Sequence, residues 1–295
     1  MQEKIEILSI ELLEKHRPLV NELKVLARSL GLEFGWHYLL DLTWMLHQLG
    51  NAAGMRILDA GAGTGIVQWH LANQSAEVLS VDRASRANLP LRFRNHFRAR
   101  GLRPSDLAPY PQVVRQNLQR RGNAWGKLSV QAKELRAFAD HQRSPGRVLI
   151  YNQDLRSLPD IQDNSVDAVV AVSALEHNHP DDLDCVIREL QRVLKPGGAL
   201  LATLGAARDQ DWLHSPSQGW CYTEASLRRL FDLPAEVPSN YERYDELFAA
   251  LKGCAELRDN LAKFYFRSGE NGMPWGVWEP KYQTVGVCKI KGLRT

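Results

Sequence analysis

Residues 56–82 read RILDAGAGTGIVQWHLANQSAEVLSVD. The run divides into an aliphatic strand, a glycine turn, a helix through Ile66, Trp69, His70 and Leu71, and a second strand that ends on Asp82. Each glycine of Asp59-Ala60-Gly61-Ala62-Gly63-Thr64-Gly65 answers a steric need: positive φ in the turn, close backbone approach to a ligand, or tight packing of helix on strand. An acid at the tip of the second strand is placed to accept hydrogen bonds from both hydroxyls of a ribose. The unit is of the kind that holds a nucleoside-like ligand, although a lone glycine turn can also be a plain strand-to-helix connection.

The spacing narrows the ligand. Dinucleotide sites favour G-x-G-x-x-G, whose helix N-terminus receives a pyrophosphate. Here it is G-x-G-x-G with an acid, Asp59, two residues before the first glycine. A carboxylate there suits a cationic ligand and is awkward beside a pyrophosphate.

Working outward, strands are expected at 147–152 (RVLIYN), at 165–173 (SVDAVVAVS) and at 199–204, with a helix over 182–194 stopped by Lys195-Pro196-Gly197-Gly198. The near-continuous apolar run at 165–173 suits a parallel strand buried on both faces. Alternation of strand and helix with short turns predicts a doubly wound, mostly parallel α/β sheet whose ligands sit at the carboxyl ends of the strands, where Asp59, Asp82, Asp154 and Ser173 to His177 fall. Residues 1–30 show helical spacing, with Pro18 between two helices, and 34–49 (FGWHYLLDLTWMLHQL) reads as one strongly apolar helix. Beyond 210 the pattern is less regular: a helix at 223–231 capped by Thr223, a largely helical 241–266, and an alternating 281–290 that could close the sheet edge.

Four separated pieces, in the same order, resemble the class I S-adenosylmethionine (SAM) dependent methyltransferases of the small-molecule, type 11-like branch. They are the glycine turn, Asp82, the segment Asn152-Gln153-Asp154-Leu155, and Ser173-Ala174-Leu175-Glu176-His177 followed by Leu194-Lys195-Pro196-Gly197-Gly198. The resemblance covers 56–82 and 147–204, about half the chain. It implies a Rossmann-like seven-stranded sheet with N-terminal helices, SAM as cofactor and S-adenosylhomocysteine as product. It further implies cofactor contacts from Asp59, Gly61, Ala62, Gly63, Gly65, Asp82, Asp154 with Leu155 at the adenine, Ser173 and Tyr38. Arg83, directly after Asp82, would pair with it or with a ligand. The organisation expected is an N-terminal helical cap (1–54), a SAM-binding core (55–210) and a C-terminal extension (211–295).

The departure from that pattern is the 72-residue distance from Asp82 to Asp154, which leaves roughly 40 residues inserted after strand two. The insertion, at about 84–145, is basic. Between Arg83 and Arg147 lie 15 Lys and Arg against 3 Asp and Glu, while the rest of the chain holds 22 against 31. Arginine forks bind phosphate and carboxylate in two-point fashion, so Arg98, Arg100 and Arg103, beside the Gly101 and Pro104 turn, are candidates for an anionic acceptor such as a phosphorylated sugar, nucleotide sugar or lipid-linked glycan. Arg92, Arg94, Arg115, Arg120 and Arg121 belong to the same block, and solvated helix faces account for charges of this kind as well.

Methyl transfer needs alignment, exclusion of water and, for a hydroxyl acceptor, removal of a proton. His177 is the candidate base with Glu176 beside it and His179 as an alternate; the same histidine would equally serve the start of the helix near Pro180. Trp36, His37 and Tyr38 could close over the cofactor or form a buried helix face. Trp275 and Trp278, in a loop at 272–280, could wall the acceptor pocket or plug a sheet edge, joined by Trp212, Trp220 and Tyr222.

Several alternatives are disfavoured. A nucleic-acid methyltransferase could use the basic block, yet SALEH lacks the N/D-P-P-Y/F tetrad of many base aminomethylases and paired catalytic cysteines are missing. A SAM-binding regulator without catalysis is at odds with an intact turn and intact acids, and a nicotinamide dehydrogenase with the glycine spacing. No uncharged apolar run reaches the ~18 residues of a membrane span. Cys185, Cys221, Cys254 and Cys288 form no C-x-x-C pair, so a metal site is not expected and the thiols read as reduced, in a cytoplasmic protein. Oligomeric state is not legible.

Overall fold

The computed structural model describes residues 1–119, 132, 143–266 and 273–292. Arg120, Arg121 and Gly272 therefore lie outside the described residues. In chain order the strands are β1 (Lys4–Ile7), β2 (Arg56–Ala60), β3 (Glu77–Asp82), β4 (Arg100–Gly101), β5 (Arg147–Asn152), β6 (Val166–Val172), β7 (Leu194–Ala206), β8 (Trp212–His214), β9 (Gly219–Tyr222) and β10 (Gln283–Ile290). The helices are α1 (Glu11–Lys15), α2 (Arg17–Leu30), α3 (Tyr38–Leu49), α4 (Val67–Asn73), α5 (Leu91–His96), α6 (Tyr110–Gln119), α7 (Pro180–Val193), α8 (Glu224–Leu230), α9 (Tyr244–Lys252) and α10 (Ala255–Asp259). The fold is mixed α/β with mostly parallel pairing, and the chain divides into two compact units, 51–155 and 1–50 with 156–295.

In the unit 51–155, β2 pairs in parallel with β3, β3 with β5, and β5 with the two-residue β4. The aliphatic interiors of β2 and β3 are buried, and in β5 Val148, Ile150 and Tyr151 are. Helix α4 is buried along nearly its whole length; Trp69 stacks on Phe93 at 4.8 Å and lies 4.7 Å from Phe97, which fixes α5 against it. The chain enters β5 through Gly146, where an added Cβ would lie 2.2 Å from the Ala76 carbonyl oxygen, so this approach admits no side chain.

In the other unit, the order β1-β10-β7-β6 combines a parallel pair (β6 and β7) with antiparallel pairs (β7 and β10, β10 and β1), and the hairpin β8–β9 joins β7 through β9. Helix α3 packs on β6, β7 and β10. Trp44 seats on the bare backbone of Gly286, where a Cβ would fall 2.5 Å from the ring, and its indole Nε1 donates to Glu6 Oε2 at 2.9 Å. His179, whose side chain accepts from Asp181 N at 3.4 Å, caps α7, with Pro180 in the first turn.

Three expectations change. Residues 4–7 form a strand, not a helix, because Ile5 and Ile7 alternate with half-exposed neighbours and pair with β10. Residues 281–290 do supply a strand, but β10 lies between β7 and β1, so β1 is the outer strand. The helix break expected at Pro18 comes at His16, with Pro18 inside the first turn of α2, a position where its missing N–H costs nothing. All four cysteines are free, Cys185 exposed and the others buried. Among the described residues no helix is long and apolar enough to cross a membrane, and no cluster could hold a metal ion.

Candidate functional site

The glycine turn of the unit 51–155 is built by backbone hydrogen bonds. Gly61 and Ala62 both donate to the Val81 carbonyl, at 2.9 and 3.0 Å, and Gly61 (φ 74°) and Gly63 (φ 47°) take the left-handed conformation anticipated for them. Gly65 N donates to Ala62 O at 2.9 Å, and a Cβ on Gly65 would sit 3.1 Å from that oxygen. Asp82 then locks turn to strand: its Oδ2 accepts from Gly63 N at 2.8 Å and its Oδ1 from Ala84 N at 2.7 Å. Each oxygen keeps a further lone pair, so the carboxylate can still receive two hydroxyl donors.

Asp59 is buried, and among the described residues its Oδ2 has no hydrogen-bond partner. Burial pushes its carboxyl up to about 7, with Arg86 opposing and Asp82 adding to the rise. Arg86 is the residue that the sequence reading missed. Arg83 was expected beside Asp82 and is exposed; three residues on, Arg86 is buried, and its guanidinium donates to Ser80 O at 2.7 Å, Tyr151 O at 3.0 Å, Gly63 O at 3.4 Å and the Ser80 hydroxyl. It ties β3 and β5 to the turn. Asn152 Oδ1 accepts from Arg86 N at 3.0 Å, while Asp154 is half-buried and Leu155 buried just after β5.

The three arginines proposed for an anionic acceptor part company. Arg98, itself at φ 49°, directs its guanidinium onto the carbonyls of Ser144, Pro145 and Gly146, so it is a clamp on the turn before β5 and not a free anion ligand. Arg103 donates to Tyr151 Oη at 3.0 Å and lies 4.9 Å over that ring. Arg100 is exposed. Arg94, buried, donates to the carbonyls of Leu89, Ala87 and Ala108.

In the unit 1–50 with 156–295, a cavity of about 310 Å³ collects Trp36, His37, Tyr38, Ser173, Glu176, His177, His214, Trp220, Tyr265 and Tyr282. Ser173 takes φ 46° at the end of β6, which aims its hydroxyl at Glu176 Oε1. Glu176 is buried, and burial raises its carboxyl, with His177 and the Ser173 hydroxyl opposing. His177 is exposed; its Nδ1 lies 3.2 Å from the Gln218 carbonyl, an acceptor that puts the proton on Nδ1 and leaves Nε2 able to accept. Burial drives the Tyr38 hydroxyl upward, and nearby Glu176 and Asp41 add to it. His37 Nδ1 sits 2.6 Å from Asp41 Oδ2, a buried pair one helical turn apart on α3 that the apolar reading of this helix did not single out.

Trp278 approaches this cavity from behind, edge-on to Trp36 at 5.9 Å, with its Nε1 on the Lys252 carbonyl at 2.9 Å. Trp275 is 69% exposed and does not line it. Trp220 lines the cavity, Trp212 lies 6.5 Å from Tyr282, and Tyr222 is buried.

The glycine turn with its buried, unpartnered carboxylate fits a nucleoside carrying a cationic end. A family model described as a methyltransferase domain matches residues 112–202. That match spans 91 of the 295 residues and makes this segment similar to a methyltransferase domain. The match contains Asp154, Ser173 to His177 and Gly197-Gly198, and begins after Asp82. Among solved structures, the (4+2)-cyclase SpnF is 19% identical, with 88% of this chain and 84% of that one covered and a TM-score of 0.48. A SAM-dependent methyltransferase of Methanosarcina mazei is 15% identical (84% and 97% covered, TM-score 0.44). The 1,6-didemethyltoxoflavin-N1-methyltransferase of Burkholderia thailandensis is 15% identical (85% and 76% covered, TM-score 0.42). A comparison with curated protein sequences gives no match.

Proposed function

We propose that the chain is a class I SAM-dependent methyltransferase that acts on an oxygen or nitrogen of a small molecule, with the acceptor taken by the cavity of Tyr38, Glu176 and His177. The observation that carries this reading is the place of His177 in the cavity lining, where its Nδ1 lies 3.2 Å from the Gln218 carbonyl and a proton held there would leave Nε2 to accept one. Bound SAM supplies a methyl group on a sulfonium, already a good leaving group, so the chain's own tasks are positioning and proton handling. Asp59 would hold the cationic end of the cofactor, Asp82 its ribose hydroxyls, and Asp154 with Leu155 its adenine; Gly61, Ala62, Gly63 and Gly65 leave room for it. His177 would act as base, with Glu176 beside it. Four unpaired thiols are in keeping with a cytoplasmic place of action.

An anionic or saccharide-like acceptor is the second reading, favoured by the exposed Arg100 within the basic segment. It draws less support from Arg98 and Arg103, whose guanidiniums already have protein partners.

The test is calorimetric titration with SAM, S-adenosylhomocysteine and NAD, repeated for Asp82→Ala. SAM and its product should bind, NAD should not, and the variant should lose at least tenfold in SAM affinity, or ~1.4 kcal/mol. Assays of His177→Ala with an accepted substrate should then show kcat down ~10²-fold or more at unchanged SAM affinity. An unchanged kcat would remove His177 from the chemistry, and comparison of phosphorylated with neutral sugars decides the second reading.

A further inference from the structure

Glu176 is 5% exposed, and while its Oε1 accepts from the Ser173 hydroxyl, its Oε2 has no hydrogen-bond partner among the described residues. A buried carboxylate is costly unless a cation or several donors compensate it. The two imidazoles that act on it electrostatically, His177 and His37, give their Nδ1 atoms to other partners, the Gln218 carbonyl and Asp41. Among the described residues no lysine or arginine lines the cavity, whose charged lining residues other than histidine are Glu176 and Glu33. His214 is kept neutral, because burial lowers its pKa. Five aromatic rings, Trp36, Tyr38, Trp220, Tyr265 and Tyr282, form the walls, and the faces of such rings attract cations. A cavity of about 310 Å³ is at the small end of ligand sites, which span roughly 300–1,000 Å³.

We propose that the acceptor is a small amine, bound as its ammonium by Glu176 Oε2 and the aromatic walls, and that the enzyme is an N-methyltransferase. This rests on the methyl-transfer reading of the same cavity. In the step, the ammonium gives one proton to the free Nε2 of His177. The freed lone pair forms an N–C bond to the methyl carbon as the S–C bond breaks, the electron pair of that bond stays on sulfur, and the product leaves as a methylammonium.

The experiment is calorimetric titration of the protein saturated with S-adenosylhomocysteine, using phenethylamine, 2-phenylethanol and phenylacetate as probes of similar size and three charges. Phenethylamine should bind at least tenfold more tightly than the alcohol, and the carboxylate least of all. Glu176→Gln, which keeps the shape of the side chain, should erase the preference by weakening the amine tenfold or more with the alcohol unchanged. Tm and SAM affinity of this variant should match the parent, and Gly219→Ala, whose Cβ would fall 3.2 Å from Glu176 Cγ, should weaken the amine in the same way. Equal binding of amine and alcohol, tighter binding of the carboxylate, no binding of the amine, or a Glu176→Gln variant that loses SAM and keeps the amine each overturns the proposal. If SAM itself does not bind the parent protein, the methyl-transfer reading fails; if SAM binds and methyl groups pass to alcohols or acids alone, the amine assignment fails by itself.

Discussion

Asp59 and Gly63 concentrate what single residues do here. Because burial holds the Asp59 carboxyl at about 7 against an ordinary 3.8, the folded protein prefers it protonated. Its contribution to stability is complete below pH ~4, and is lost as pH rises towards 7. The stability gap in favour of Asp59→Asn should therefore widen between pH 4 and 7 and level off above, as read by urea denaturation across that range. A gap independent of pH would show that Asp59 is ionised throughout. Cofactor binding should move the other way: a cationic ligand needs the carboxylate, so SAM affinity should rise severalfold from pH 6 to 8, and Asp59→Asn should flatten the curve. At Gly63, φ is 47° and the amide donates to Asp82, so Gly63→Val strains the turn and moves that N–H. SAM affinity should fall at least tenfold, or ~1.4 kcal/mol, by calorimetry. The conformation of the turn was legible from spacing alone, since a run of small residues leaves few alternatives. Arg86 was not, because nothing in ASRANL marks which arginine turns inward; that depends on the free carbonyls of Ser80 and Tyr151, which come from two strands distant in sequence.

Elements were legible where one physical signal dominated. The aliphatic runs of β2, β3, β5 and β6 and the glycine turn stand close to where periodicity puts them. Residues 4–7 did not, because IEILSIELL satisfies a helical period as well as an alternating one, and the pairing of Ile5 with Val287 and Ile7 with Val285 decides the matter from 280 residues away. The β8–β9 hairpin was missed for a related reason: 212–222 has the turn residues of a loop and takes its order from β7. Two tests follow from the packing. Arg98→Ala removes the clamp on the carbonyls of 144–146 and should cost ~1 kcal/mol in guanidinium denaturation while acceptor KM stays put; a raised KM at unchanged stability would restore Arg98 to substrate binding. Gly286→Ala drives a methyl group into Trp44, at a cost of roughly 1–3 kcal/mol.

For the molecule as a whole, the distribution of charge is visible in the sequence but its direction is not. Fifteen basic residues against three acidic ones between Arg83 and Arg147 suggest a surface for polyanions. Yet Arg86, Arg94, Arg98 and Arg103 spend their donors on carbonyls, a serine and a tyrosine of their own unit, so a count of positive charges overstates what is offered to a ligand. A protein that neutralises six to ten phosphates loses roughly 10³–10⁵ in affinity between 50 and 200 mM salt. With four cations of the segment engaged by partners of their own unit, binding to a 20-nucleotide single strand should stay weaker than ~10 µM near 0.1 M salt and should fall far less steeply than that. Fluorescence anisotropy across a NaCl series measures both. A sub-micromolar affinity with a steep slope would mean that Arg100, Arg115 and the rest of the segment form a phosphate-tracking face, and the acceptor would then have to be sought among nucleic acids.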